Sequence, residues 1–188
     1  MRSLVRVIIS EEKLKERVRE LGREISADFR GKDPIIVSIL RGGFIFTADL
    51  VRFLDFPHEI DFISVSSYGD GTSSSGAVRL LRDLTTNVQG RHLLVVDDII
   101  DTGLTINYLT ENLRLRSPAS LTIVALLEKR IKREFDLPTK YVGFRIPDTF
   151  VVGYGLDFNQ KYRHLPFIAE LDGIEAESTG GNKGVESS

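Results

Sequence analysis

Residues 93–105, Leu-Leu-Val-Val-Asp-Asp-Ile-Ile-Asp-Thr-Gly-Leu-Thr, constrain this chain more than any other stretch. The apolar run has the length and branched-residue content of a buried parallel strand. It ends in two adjacent carboxylates, Asp97 and Asp98. A third, Asp101, opens a Thr/Gly turn that leads into a helical stretch over 106–115. Carboxylates at the C-terminal end of such a strand face the crevice where open α/β sheets bind ligands. The turn adds backbone N–H groups at a helix N-terminus and two hydroxyls, Thr102 and Thr105, a cradle for a phosphate. Helix capping alone accounts for one Asp or Thr in such a place. Three carboxylates around one strand end repel one another unless a cation or donors compensate, and that favours a site for sugar hydroxyls or a metal beside a phosphate.

The rest of the chain supports an α/β fold with a mainly parallel central sheet, because strand-like and helix-like segments alternate. Strands are expected at 5–9, 35–40, 60–66, 78–81, 121–127, 141–144 and 150–154. Ser10 caps a helix whose apolar face is Leu14, Val18, Leu21, Ile25 and Phe29, and a second helix is expected over 44–54. Residues 1–171 read as one domain. From Asp172 onward Gly, Ser, Glu and Asn dominate without large apolar residues, so 172–188 is expected to be disordered. A net charge of −2 gives no electrostatic case for nucleic acid, so phosphates must be held by local donors and metal. The absence of cysteine excludes disulfides and thiolate chemistry and fits a reducing cytosol. No apolar leader and no run of membrane-spanning length is present, and the expected location is cytoplasmic.

The 93–105 block resembles the phosphoribosyl-pyrophosphate (PRPP) motif of type I phosphoribosyltransferases. Four further segments extend the resemblance toward the hypoxanthine/guanine branch: Ser38-Ile39-Leu40-Arg41-Gly42-Gly43-Phe44, Ser67-Tyr68 before a Gly/Ser loop, Leu127-Glu128-Lys129-Arg130, and the stretch 146–157 with Pro147-Asp148-Thr149-Phe150. The resemblance implies a parallel sheet flanked by helices, with a small hood and a flexible lid loop. It also implies a reaction in which a 6-oxopurine displaces diphosphate from PRPP to give IMP or GMP, with Mg²⁺ as cofactor and a homodimer or homotetramer as the assembly.

The same resemblance distributes the roles. Thr102, Gly103, Leu104 and Thr105 hold the 5′-phosphate. Asp97 and Asp98 take the ribose hydroxyls, directly or through Mg²⁺; many members carry Glu at the first position, and Asp97 is one methylene shorter. Asp101 is the general base for the purine ring proton. Arg41 and Gly42, after a peptide bond that is often cis in the family, and Arg163 bind diphosphate. Lys129 donates to the 6-oxygen, Phe150 stacks on the purine and the Val151 main chain reads its edge. Asp157 joins Asp97 and Asp98 as a metal ligand, and Ser67 and Tyr68 open the lid. An ammonium has donors only, so Lys129 suits a 6-oxo acceptor and leaves the 6-amino group of adenine unmatched. Hypoxanthine, guanine and xanthine remain open. The rival outside this class is a non-catalytic PRPP-fold regulator that binds RNA or DNA.

Overall fold

The apolar runs at 35–40, 93–96 and 121–127 lie side by side in a computed structural model that describes residues 4–67, 78–131, 135 and 137–171. They form the centre of a six-stranded sheet in the order β4-β3-β2-β5-β6-β7. Its members are β2 (Ile35–Leu40), β3 (Glu59–Ser67), β4 (Val78–Arg82), β5 (His92–Ile100), β6 (Ser120–Lys129) and β7 (Thr139–Ile146). All neighbours run parallel except the β3–β4 pair at one edge. A second sheet, β1 (Leu4–Ile9), β9 (Ile168–Leu171) and β8 (Val151–Val152), is antiparallel and forms the hood.

Helices cover both faces because the strand interiors are apolar on both sides. Ile36, Leu94, Val96, Val124 and Leu126 pack with α1 (Glu11–Phe29) and α2 (Phe44–Val51). Ile35, Val37, Ile39, Leu93, Val95 and Ile123 pack with Ile106, Leu109 and Leu113 of α3 (Leu104–Arg114). Each such side chain, once buried, contributes about 1.5–3 kcal/mol. The Ser10 hydroxyl accepts from the Lys13 amide at 3.4 Å, as expected of an N-cap, and Leu14, Val18, Leu21, Ile25 and Phe29 are all buried.

From β2 the chain winds through α2 to β3; from β5 it winds through α3 to β6 on the other side. The boundary between β2 and β5 is therefore the topological switch point, where open α/β sheets leave a ligand crevice. Pairing of β5 with β2 stops at Ser38–Val96, while pairing with β6 continues to Ile100–Glu128.

Several boundaries differ from the reading above. Strand β5 runs on past Asp97 and Asp98 to Ile100 rather than ending at them, since β6 keeps pairing with the strand after β2 has turned away. Helix α3 begins at Leu104, two residues early. Helix α2 stops at Val51, where the amides of Phe53 and Leu54 bond three residues back to Leu50 and Val51 and tighten the turn. Only Val151 and Val152 of the 150–154 segment pair as a strand, because Gly153, Tyr154 and Gly155 all take positive φ. Strand β9 had no counterpart in the sequence reading. The Gly/Ser loop and the 172–188 tail lie outside the described residues.

Candidate active site

The C-terminal half of β5 and the turn after it supply the first group. Asp97 is 7% exposed and its Oδ1 accepts from the Asp98 amide at 3.0 Å; Asp98 Oδ1 accepts from the Ile99 amide at 3.0 Å. Burial holds Asp97 well above the ordinary carboxylate range, and the neighbouring Asp98 charge adds to the shift. Burial raises Asp98 as well. Two crowded carboxylates that resist ionisation are what a divalent cation or a set of hydroxyl donors would relieve. Magnesium usually takes one or two carboxylates and completes its shell with water and substrate phosphates, so this pair fits it.

The turn 101–105 follows. Gly103 has φ +90 and leads straight into α3, a backbone state that a residue with a Cβ seldom adopts. Thr102 Oγ1 accepts from the Leu104 amide at 3.4 Å. Asp97, the turn and the first residues of α3 line a cleft of about 210 Å³. That is smaller than a typical ligand pocket, so it suits one end of a ligand, the phosphate, with the remainder lying outward.

Asp101 points from this turn toward β6. The Lys129 ammonium lies 3.1 Å from Asp101 Oδ2 and 2.9 Å from Asp148 Oδ1, and the lysine side chain is only 12% exposed. Burial works against its charge, but the bonds to Asp148 and Asp101 outweigh it and keep the lysine above its ordinary value. Just beyond Asp148, Phe150 meets the Phe158 ring edge-on, with centroids 5.7 Å apart and planes at 89°. Val151 is buried in β8. Thr149 Oγ1 donates to Glu170 Oε1 at 3.0 Å, which ties the segment to β9.

The third group surrounds the turn after β2. The Leu40–Arg41 peptide is cis, as the resemblance implied. Gly42 lies so close to Asp98 that a Cβ there would overlap the carboxylate. Arg41 Nη1 donates to Gln160 Oε1 at 3.0 Å, and Arg163 Nη2 donates to the same oxygen at 3.1 Å. Arg163 also pairs with Asp157 at 2.7 Å and donates to the Gly155 carbonyl at 2.7 Å.

Most of the anticipated residues thus fall into three adjoining groups. Asp157 belongs with Arg163, and among the described residues no three acidic or histidine side chains gather as one metal cage. Ser67 ends β3, while Tyr68 lies outside the described residues. Asp148 and Gln160 were assigned no role from sequence. Asp148 had a usable signal, its place two residues before Phe150; Gln160 had none.

Residues 8–159 match the family described as the phosphoribosyl transferase domain. The chain belongs to the phosphoribosyltransferase family. Within that family it is 47% identical to the hypoxanthine phosphoribosyltransferase of Salmonella typhimurium, over 91% of this chain and 97% of the relative. It is 46% identical to the hypoxanthine-guanine phosphoribosyltransferase of Bacillus subtilis, over 92% and 96%. A crystal structure of a hypoxanthine-guanine phosphoribosyltransferase from Bacillus anthracis superimposes with a TM-score of 0.83 at 44% identity, covering 90% of this chain and 99% of that one. Both the α/β phosphoribosyltransferase fold and the standing as a transferase of purine salvage are therefore shared with these relatives. No helix among the described residues is long and apolar enough to cross a membrane.

Proposed function

We propose that this chain transfers the phosphoribosyl group of PRPP to hypoxanthine or guanine, forming IMP or GMP and releasing diphosphate. The observation that carries the reading is the Lys129 ammonium, nearly buried and held beside Asp101 at 3.1 Å. A fixed cation paired with a half-exposed carboxylate matches a 6-oxopurine, which presents an acceptor oxygen to the ammonium and a ring proton to the carboxylate.

The roles follow from position. The 101–105 turn binds the 5′-phosphate through its amides and hydroxyls. Asp97 and Asp98 accept from the ribose hydroxyls. Arg41 and Arg163 compensate the diphosphate charge as the bond from the anomeric carbon to the diphosphate oxygen breaks and its electron pair leaves with the diphosphate. Phe150 and the Val151 main chain hold the purine so that its ring nitrogen forms the new bond, and Asp101 takes that nitrogen's proton. Mg²⁺, which this family generally uses with PRPP, would be held by Asp97 and Asp98 and would supply charge neutralisation at the PRPP oxygens. Asp157, expected from the resemblance as a further metal ligand, holds Arg163 in place through their 2.7 Å ion pair. Ser67 and Tyr68 serve as the start of a lid that excludes water. We place the protein in the cytoplasm, binding neither nucleic acid nor membrane, a reading supported by its net charge of −2 and lack of cysteine, and as a homodimer or homotetramer on the family resemblance alone.

Diphosphate release from PRPP and Mg²⁺ with hypoxanthine, guanine, xanthine or adenine tests this. Release with hypoxanthine or guanine, abolished by chelator, is expected. Adenine as the preferred base, or no release with any base, overturns the reading.

A further inference from the structure

The contact between Arg41 and Arg163 is unusual in what it lacks. Arg41 follows β2 and Arg163 lies in the hood loop, yet both guanidinium groups point at one atom, Gln160 Oε1, at 3.0 and 3.1 Å. Two like charges drawn that close repel, and the usual remedy is a carboxylate between them. Here the acceptor is a neutral amide. It fixes where the two cations sit without itself adding charge, the carboxylate on Arg163 being Asp157 at 2.7 Å.

The backbone around Gln160 is shaped to put that amide there. Gln160 has φ +61 and its neighbour Asn159 has φ +50, a region that side-chain-bearing residues rarely occupy. Asp157 holds the arrangement from below: its Oδ2 accepts from the Gln160 amide at 2.7 Å while its Oδ1 pairs with Arg163 at 2.7 Å. Arg163 is further secured on the Gly155 carbonyl, whereas Arg41 is exposed and carries a long flexible stem. Gln160 and Arg163 both line a cleft of about 680 Å³ formed by residues 158–164.

We propose that Gln160 is the positioning residue of the diphosphate site. Its side-chain oxygen gathers Arg41 and Arg163 and gives way to a diphosphate oxygen when PRPP binds. Neutrality is essential to this role. A carboxylate at the same point would pair with the arginines and compete with the anion they are meant to receive, while an apolar side chain would let Arg41 disperse. The inference rests on the proposed assignment of the two arginines to diphosphate.

Two substitutions of similar size separate the requirements: Gln160→Met keeps the volume and removes the acceptor, and Gln160→Glu keeps the acceptor and adds a charge. Steady-state kinetics should give kcat and KM for PRPP and hypoxanthine separately, with product inhibition by diphosphate measured alongside. Gln160→Met is expected to raise KM for PRPP by about tenfold, the low end for one hydrogen bond to a charged group, while KM for hypoxanthine stays within about twofold. Gln160→Glu should raise KM for PRPP further and weaken diphosphate inhibition by about tenfold, through direct charge competition. An unchanged KM for PRPP in either variant, or equal rises in both KM values, overturns the inference. If Gln160→Met fails to fold, Gln160→Glu decides alone. Arg41→Ala and Arg163→Ala run in parallel: if these leave PRPP binding intact, the arginine assignment itself fails, and if they weaken it while both Gln160 variants do not, only the role of Gln160 fails.

Discussion

Replacing Lys129 with Met removes the ammonium and keeps most of the buried stem. The geometry sets the size of the effect. The lysine side chain is 12% exposed, so its bond to a purine oxygen would form largely out of water, while its partners Asp101 and Asp148 are 51% and 49% exposed. Loss of one hydrogen bond to a charged group is worth roughly 1.5–3 kcal/mol, or about 10- to 150-fold in kcat/KM for hypoxanthine. Adenine offers no acceptor at that position, so its kcat/KM should not fall, and the ratio between the two bases should drop by the same factor. Stability should suffer less, by about 1 kcal/mol or below, because both carboxylates can rehydrate once the lysine is gone. The sign with pH follows from the raised value of Lys129: its contribution is fully present below the ordinary lysine range and is lost as pH rises through the raised value. The assay is steady-state kinetics with hypoxanthine and adenine beside thermal melts of both proteins. Equal losses for the two bases, or no loss for hypoxanthine, would show that the ammonium does not read the 6-position.

Asp101→Asn should lower kcat by roughly 100-fold or more with little change in KM for PRPP, as expected for loss of a general base, and single-turnover kinetics would expose an unaltered chemical step. Gly42→Ala places a methyl group against the Asp98 carboxylate, so KM for PRPP should rise by about tenfold or more at a stability cost of about 1–3 kcal/mol; an alanine enzyme with native KM and Tm would contradict the close approach. Asp97→Asn removes one charge from a buried, mutually repelling pair, and the ligand-free protein should gain roughly 1–3 kcal/mol, seen as a higher Tm, while losing activity. Because the Asp97 value is raised on folding, that gain is present above the raised value and disappears as pH falls through it toward the ordinary carboxylate range. A lower Tm at neutral pH would refute it.

Local chemistry was the legible part of the sequence. The strand at 35–40 sits between Pro34 and the Gly42-Gly43 turn, and its ends are where those residues put them. The Ser10 cap and the apolar stripe behind it needed nothing beyond 3.6-residue periodicity. What failed depended on distant partners. Asp is a poor strand residue, yet pairing with β6 carries β5 through Asp97 and Asp98, an override of propensity by context. Ile168-Ala169-Glu170-Leu171 is too short to announce a strand until Leu4–Ile9 pairs with it. The acidic turn was recognisable because its groups are contiguous. The links from Lys129 to Asp148 and from Arg41 to Gln160 span 19 and 119 positions and are written only in the fold.

The hood sheet has a bearing on how the protein can be handled. Its β8, which carries Val151 next to Phe150, is clasped by β9, and β9 in turn by β1, so the base recognition proposed for Phe150 and Val151 would lean on segments far apart in the sequence. Trimming residues 4–9, or burdening them with a fusion, should blur the choice among purines and spare the grip on the sugar phosphate, which is proposed for the turn between β5 and α3.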